Sequence, residues 1–197
     1  MSHPKQTPQV LNQPFNRKLS FVICFLLMVL SSVLNARAQT HPGMDGFQLP
    51  PKAKGDYYFS QGKFKEALEI YKSILPDEAD PGPIFRGMVK AWNAMGALDE
   101  AKKYLSAYRQ SHENSSAVWY ALGYLQYIKN EDLRAAELFK QSIELDPQNG
   151  LAWNNWAASL VNGEHFHEAL KKVRIAIRSN PKELMFFFNL NKILEKM

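Results

Sequence analysis

A spacing of 34 residues constrains this 197-residue chain more than any other feature. A small residue recurs four times at that interval, as Ala67, Ala101, Ala135 and Ala169. A larger side chain follows each alanine by four positions: Tyr71, Leu105, Phe139 and Val173. Because both columns keep one period without a gap, the sequence predicts a structural unit that is repeated along the chain.

Residues 116–149 show the unit most clearly. Trp119 and Leu122 lie at helical spacing on a first helix, and Ala135 and Phe139 lie at helical spacing on a second. Pro147 then ends the pair, because proline cannot continue a helix. Three further columns share the period, and they comprise Phe85, Trp119, Trp153 and Phe187; Met88, Leu122, Trp156 and Leu190; and Gly55, Val89, Gly123 and Ala157.

This order of Trp, Leu-Gly, Ala, Phe and Pro resembles the tetratricopeptide repeat, a helix–turn–helix unit. The resemblance implies an all-α fold, an α–α superhelix in which helix pairs stack because one pair cannot bury its apolar face alone. About four repeats are expected, followed by a capping helix, with the bounds 52–81, 84–115, 116–149, 150–181 and 182–197. The aromatic columns are then interpreted as core.

Local details of the solenoid can also be predicted. Gly62 should occupy the turn inside the first repeat, where a positive φ is often needed. The second helix of that repeat should end near Leu75. In the capping helix, Phe187, Leu190 and Leu194 should cover the end of the stack, which leaves two other rings partly exposed. Those rings belong to Phe186 and Phe188.

The amino-terminal residues 1–38 have the organisation of a secretory signal peptide. Arg17 and Lys18 precede an uncharged apolar run over residues 19–34, and Ala36-Arg37-Ala38 supplies a cleavage site. We therefore expect cleavage after Ala38, a flexible linker over residues 39–51, and an exported protein that is periplasmic or secreted. The alternative is an uncleaved membrane anchor over residues 19–36, although a spanning helix usually needs about 20 apolar residues.

Charge and cysteine content exclude several function classes. The formal net charge is +5, but Lys5, Arg17, Lys18 and Arg37 all precede residue 39 in a region without acids, so the remainder is nearly neutral. A nearly neutral domain has no electrostatic surface for a phosphate backbone, which argues against a nucleic-acid partner. Cys24 is the only cysteine and lies in the apolar run. Its removal with that run would leave no thiol for a disulfide, catalysis or metal binding.

One cluster resembles a metal site. His165 and His167 lie between Glu164 and Glu168, but histidines two positions apart on a helix point in different directions, whereas helical metal pairs need three or four. The sequence has no glycine-rich phosphate loop and no G-x-S-x-G nucleophile motif. We therefore predict no catalytic residue, no metal and no cofactor. A hydrolase or metal protein that uses the two histidines is the competing hypothesis.

The tetratricopeptide resemblance implies a peptide or a partner protein held in a concave groove, which the first helices line. The groove columns map onto Lys52, Arg86, Lys90, Asn93, Tyr120, Tyr124, Tyr127, Asn154 and Asn162. Tyrosine supplies rigid area with a polar tip, and asparagine both donates and accepts hydrogen bonds. The three tyrosines are expected to share one exposed face. Lys52 also matches the lysine of the family's terminal-carboxylate clamp, but Asp56 replaces the clamp asparagine, so that activity is not transferred.

The sequence therefore predicts an exported, non-enzymatic protein-interaction module. The alternative function is a membrane-tethered scaffold or assembly subunit of a cell-envelope complex, which would require the amino-terminal run to remain attached.

Overall fold

The computed structural model describes residues 49–197, and this part of the chain is helical throughout, with no strand. Its α-helices are α1 Pro51–Ser60, α2 Phe64–Ile74, α3 Gly82–Ala94, α4 Leu98–Ser111, α5 Ser116–Ile128, α6 Asp132–Leu145, α7 Gly150–Asn162, α8 Phe166–Ser179 and α9 Leu184–Lys196. The all-α fold class is confirmed. The predicted signal peptide, the alternative anchor and nearly all of the predicted linker lie outside the described residues.

The helices alternate as first and second members of repeats. The pairs α1–α2, α3–α4, α5–α6 and α7–α8 each pack together, and every second helix also packs on the first helix that follows it. The first helices α1, α3, α5, α7 and α9 contact one another in sequence. This arrangement is that of a solenoid, in which the main contacts of each repeat are with its neighbours. From residue 49 onward, no helix is both long enough and apolar enough to cross a membrane.

The alanine column lies in the core, as predicted. Ala67, Ala101, Ala135 and Ala169 are fully buried. The larger residues four positions later are also buried, and the rings of two of them, Tyr71 and Phe139, explain the glycines of the small-residue column. A Cβ atom at Gly123 would lie 2.7 Å from a ring carbon of Phe139, and one at Gly55 would lie 2.6 Å from a ring carbon of Tyr71. Both distances are too short for a side chain, so the close approach of the two helices requires glycine there.

Turns inside the repeats show the same period. Gly62 and Gly96 have φ angles of 73° and 70°, which confirms the prediction for Gly62. The equivalent positions in the third and fourth repeats are Asn130 and Glu164, with φ angles of 59° and 61°. Left-handed backbone is favourable for glycine, tolerated by asparagine and strained for glutamate. Four turns therefore adopt one conformation with residues of different suitability.

The connection after the first repeat departs slightly from its predicted form. Helix α2 ends at Ile74, and a single 3-10 turn, Leu75–Asp77, follows it. Pro76 lies in this turn and has no N–H to continue α-helical hydrogen bonding.

The predicted assignment of buried and exposed residues in the capping helix, α9, is wrong at three positions. Phe186 is only 1% exposed, whereas Phe187 and Leu194, which were expected to cover the stack, are 42% and 51% exposed. In α7, Leu160 packs in a cluster with Ala169 of the following helix α8. Its counterpart Leu194 has no following helix among residues 49–197. The buried face of α9 is therefore the one that meets α7 and α8, and the period alone misassigns it.

Candidate partner-binding groove

The predicted groove residues all lie on first helices, but their accessibility differs. Lys52 on α1, Arg86 on α3, and Tyr124 and Tyr127 on α5 are half-buried. Three more side chains are exposed: Lys90, Asn93 and Asn162. Two are buried: Tyr120 and Asn154. The groove thus has an accessible part, centred on α1, α3 and α5, and a part that is closed by the fold.

An open cleft of about 500 Å³ lies at the amino-terminal end of the groove. Helices α1 and α3 supply one side of it, and Leu151 of α7 and Glu183, which precedes α9, also line it. The side chains that contribute charge or a ring to the cleft are Lys52, Asp56, Phe59, Tyr71, Arg86, Lys90 and Glu183.

Asp56 is held by two neighbours within this cleft. The Lys52 ammonium donates to its carboxylate at 2.6 Å, and the Tyr71 hydroxyl donates to it at 2.7 Å. Burial acts to raise the pKa of the Asp56 carboxyl, but these hydrogen bonds and the charges of Lys52 and Lys90 outweigh it, so the pKa lies below its ordinary value. Burial and the Asp56 carboxylate together raise the pKa of the Tyr71 hydroxyl. The acid is therefore ionised and already satisfied.

Lys90 and Arg86, unlike Asp56, have no oppositely charged partner in contact with them among residues 49–197. Neither forms an ion pair with any residue of the described chain. The Lys90 ammonium lies 5.1 Å from the centre of the Phe59 ring, within the range of a cation–π contact. Partial loss of hydration lowers the pKa of Lys90, and the positive charge of Arg86 lowers it further. The Asp56 carboxylate acts to raise the pKa of Lys90, but it offsets only part of this lowering.

A ladder of tyrosine rings continues the groove along α5. The Tyr120 and Tyr124 ring centres lie 6.1 Å apart with 15° between their planes, and those of Tyr124 and Tyr127 lie 6.3 Å apart with 18°. Burial raises the pKa of the Tyr124 hydroxyl, and the neighbouring Arg86 side chain opposes that rise. Arg86 therefore joins the charged part of the groove to the tyrosines.

Two predicted binding residues are sealed inside the fold instead. The Asn155 amide donates to the Tyr120 hydroxyl at 3.1 Å, and the Asn154 amide donates to Asn155 at 3.3 Å. The Asn189 amide of α9 donates in turn to the Asn154 carbonyl oxygen at 2.9 Å. The expectation that Tyr120 belongs to an exposed face, with Asn154 free for a ligand, is wrong. The polar groups of both residues join first helices to one another.

Asn162 also has an internal partner, because its amide donates to the Asp132 carboxylate at 3.0 Å. Asn93 on α3 is the predicted asparagine that remains exposed without such a bond among the described residues.

The sequence family follows from the repeat itself. Residues 58–123 match the family model described as tetratricopeptide repeat. This matched segment belongs to the tetratricopeptide repeat family. The helices of residues 49–197 have the fold of that family, which generally serves as a protein–protein interaction module.

A solved structure has a similar arrangement of helices. The solved structure of TTC0263, a thermophilic tetratricopeptide repeat protein from Thermus thermophilus, superposes with a TM-score of 0.58 at 16% identity, over 87% of this chain and 95% of that one. At this identity the match shows the fold alone.

Two curated proteins are similar over about half of this chain. Human protein O-mannosyl-transferase TMTC2 is 28% identical over 99 residues, which are 49% of this chain and 12% of that protein. The peroxisomal targeting signal receptor of Candida glabrata is 26% identical over 89 residues, which are 45% of this chain and 15% of the receptor. The chain thus spans only a small part of the length of either relative.

Several lining residues of the tetratricopeptide groove were not predicted. Phe59, Leu151 and Glu183 line the charged cleft, although none belongs to the groove columns. Glu183 lies in the column of residues that immediately precede first helices, with Ser115 and Asn149. The period identifies that column, but only the curvature of the stack places its last member beside α1 and α3.

The histidine pair lies away from this groove. His165 immediately precedes α8 and His167 lies in its first turn, and both side chains are exposed. Within residues 49–197, no three His, Cys, Asp or Glu side chains are grouped so that they could hold a metal ion.

Proposed function

We propose that the protein binds an extended or helical segment of a partner protein along the accessible faces of α3 and α5. The observation that carries this proposal is the near-parallel pair of Tyr124 and Tyr127 rings, half-exposed beside Arg86 and the open cleft. Rigid aromatic rings with polar tips contribute much contact area at little entropic cost. The targeting-signal receptor among the relatives supports a peptide ligand, since its name describes recognition of a signal.

The proposed activity is recognition without catalysis. The groove residues with shifted pKa values are a satisfied carboxylate, a lysine and several tyrosines. The Tyr71 hydroxyl does donate to the Asp56 carboxylate, but burial and that carboxylate raise the pKa of Tyr71, whereas an activated nucleophile has a lowered pKa.

A displayed library of random peptides, selected on the full chain, provides a ligand for the test. The dissociation constant of a selected peptide should rise at least about tenfold when Tyr124 and Tyr127 are both changed to alanine, because central aromatic residues dominate binding energies. Tyr57→Ala is the matched control, since Tyr57 is an exposed tyrosine that does not line the cleft. Thermal unfolding should verify that each variant is folded. Unchanged affinity in the folded double variant would contradict the proposal.

We also propose that the protein is exported after cleavage behind Ala38. The basis is the basic, apolar and small-residue order of residues 17–38. Amino-terminal sequencing of the protein isolated from its native cell should begin at Gln39. An intact amino terminus would instead support the anchored scaffold.

A further inference from the structure

We propose that the amino-terminal end of the groove is an acid-selective subsite, in which Arg86 and Lys90 hold a carboxylate of an acidic partner segment. This inference rests on the proposed binding function and specifies the chemistry of the partner. It arises from the charges around the open cleft.

The two cations occupy one face of one helix. Arg86 and Lys90 are four residues apart on α3, a spacing that makes them surface neighbours. Like charges at this spacing destabilise a helix. The chain therefore maintains an unfavourable pair at the wall of a cleft that is open to a ligand.

The Asp56 carboxylate relieves this repulsion only in part, because it acts to raise the pKa of Lys90 but forms no ion pair with it. Asp56 is engaged by Lys52 at 2.6 Å and by the Tyr71 hydroxyl at 2.7 Å. Glu183 lines the same cleft but forms no ion pair with either cation. An incoming carboxylate would supply the missing counter-charge.

The surroundings strengthen such an interaction. Phe59 packs beneath the Lys90 ammonium, and Leu151 lines the same cleft. Apolar walls reduce the local dielectric constant, so a charge pair there is stronger than in open water. Loss of hydration is the main cause of the lowered pKa of Lys90, and the charge of Arg86 adds to it. Binding of a carboxylate should therefore raise that pKa.

Three synthetic peptides can test whether the subsite prefers a negative charge, and whether that charge comes from a side chain or from a terminal carboxylate. The acidic probe repeats Glu-Ala-Leu-Glu, with an acetylated amino end and an amidated carboxyl end. The second probe repeats Gln-Ala-Leu-Gln and keeps a free terminal carboxylate. The third probe repeats Lys-Ala-Leu-Lys with both ends blocked. Binding to the full chain is measured by calorimetry, and the Lys90 side-chain signal is followed by NMR.

The acidic probe should bind the native chain and raise the pKa of Lys90. The double variant Arg86→Glu with Lys90→Glu should weaken that binding at least about tenfold and should bind the basic probe instead. The control is Lys102→Glu with Lys103→Glu on α4, which makes the same change in net charge at two exposed positions. This control should leave the affinity for the acidic probe unchanged.

Tighter binding of the glutamine probe than of the acidic probe would overturn side-chain recognition in favour of a terminal carboxylate. Equal losses in the α3 and α4 variants would also overturn the subsite, because net charge alone would then explain binding. If the subsite fails while the library-selected peptide still requires Tyr124 and Tyr127, the proposed binding function stands without it. If that peptide is also insensitive to the tyrosines, the binding function fails independently.

Discussion

The first helices of the amino-terminal repeats and those of the carboxyl-terminal repeats use the same column in opposite ways. Arg86 on α3 is half-exposed and charged, whereas its equivalents Tyr120 on α5 and Asn154 on α7 are fully buried. The side chain 35 positions further along the chain, on the next first helix, accounts for this difference in burial. Asn155 and Asn189 reach back to Tyr120 and Asn154 through hydrogen bonds. The residue at that distance from Arg86 is Ala121, which carries no polar side-chain group.

The comparison shows that a repeat position determines the direction of a side chain but not its accessibility. Accessibility depends on the residue that the next helix places above it. In this column the α3 position is therefore available for a ligand, while the α5 and α7 positions contribute to the cohesion of the stack. The region around α1 and α3 is called the open half, and Tyr120, Asn154 and the core that supports them are called the closed half. Four sets of substitutions test this division, and they are given in order of decreasing expected effect.

The core that supports the closed half should be the most sensitive. Phe139→Ala should lower the free energy of unfolding by about 3–5 kcal/mol, because the buried ring packs against Gly123 and Tyr120 and leaves a cavity when removed. Chemical denaturation measures this change. Phe188→Ala is the matched control, since that ring is 71% exposed, and it should cost less than about 0.5 kcal/mol. Similar losses in both variants would contradict the assigned core.

The buried hydrogen bonds of Asn155 should have the second-largest effect on stability. Asn155→Leu should lower the free energy of unfolding by about 2–3 kcal/mol, because it leaves the Tyr120 hydroxyl and the Asn154 amide without partners in a buried site. Asn93→Leu makes the same chemical change at an exposed site of the open half. If both variants lost the same stability in urea denaturation, the two halves would not differ as described.

Tyr120 should give the closed half a distinctive dependence on alkaline pH. Burial raises the pKa of its hydroxyl above the ordinary value, so the unfolded chain releases this proton first, near pH ~10. The resulting stability is present below that pH and is lost as the pH rises further. Tyr120→Phe should cost about 1 kcal/mol at neutral pH through the lost hydrogen bond to Asn155.

The same variant should lose less stability than the native chain above pH ~10, because the ionisable group is absent. Denaturation series at neutral and alkaline pH measure both effects. The exposed Tyr57→Phe variant is the control and should follow the native chain. A Tyr120→Phe variant that retains the native alkaline slope would show that this hydroxyl is not the buried group responsible.

The smallest effect should come from the turns. Glu164→Gly should raise the free energy of unfolding by about 0.5–1 kcal/mol, because the φ of 61° strains glutamate but not glycine. Gly96→Ala, at the equivalent turn of the open half with a φ of 70°, should lower it by about 1 kcal/mol. Thermal unfolding of the two variants should therefore shift in opposite directions. Shifts of the same sign would contradict equivalent turns.

Much of this fold could be predicted from the sequence because the same contact recurs in each repeat. Ala67 and its equivalents are fully buried, and at Gly55 and Gly123 a ring leaves no room for a side chain, so both requirements leave visible columns. Gly62 could be predicted for a similar reason, since its backbone angle favours glycine.

The candidate groove was harder to predict, because its accessibility depends on pairs of residues in different repeats. Tyr120 and Asn155 form such a pair at a separation of 35 residues. Columns that compare residues 34 positions apart do not show this pair, although both residues are present in the sequence. The burial of Phe186 in place of Phe187 depends on the packing of its ring beside Gly150, at the start of α7. The place of Glu183 in the cleft depends on curvature accumulated over the whole stack.

Site-directed photocrosslinking with a library-selected peptide tests the central claim most directly. A photoreactive amino acid replaces Tyr127 on the concave face of α5 in one full-length variant and Lys102 on the exposed side of α4 in another. The account predicts a crosslink to the peptide from position 127 and none from position 102. A crosslink from position 102 alone would place the partner on the outer helices and contradict the account.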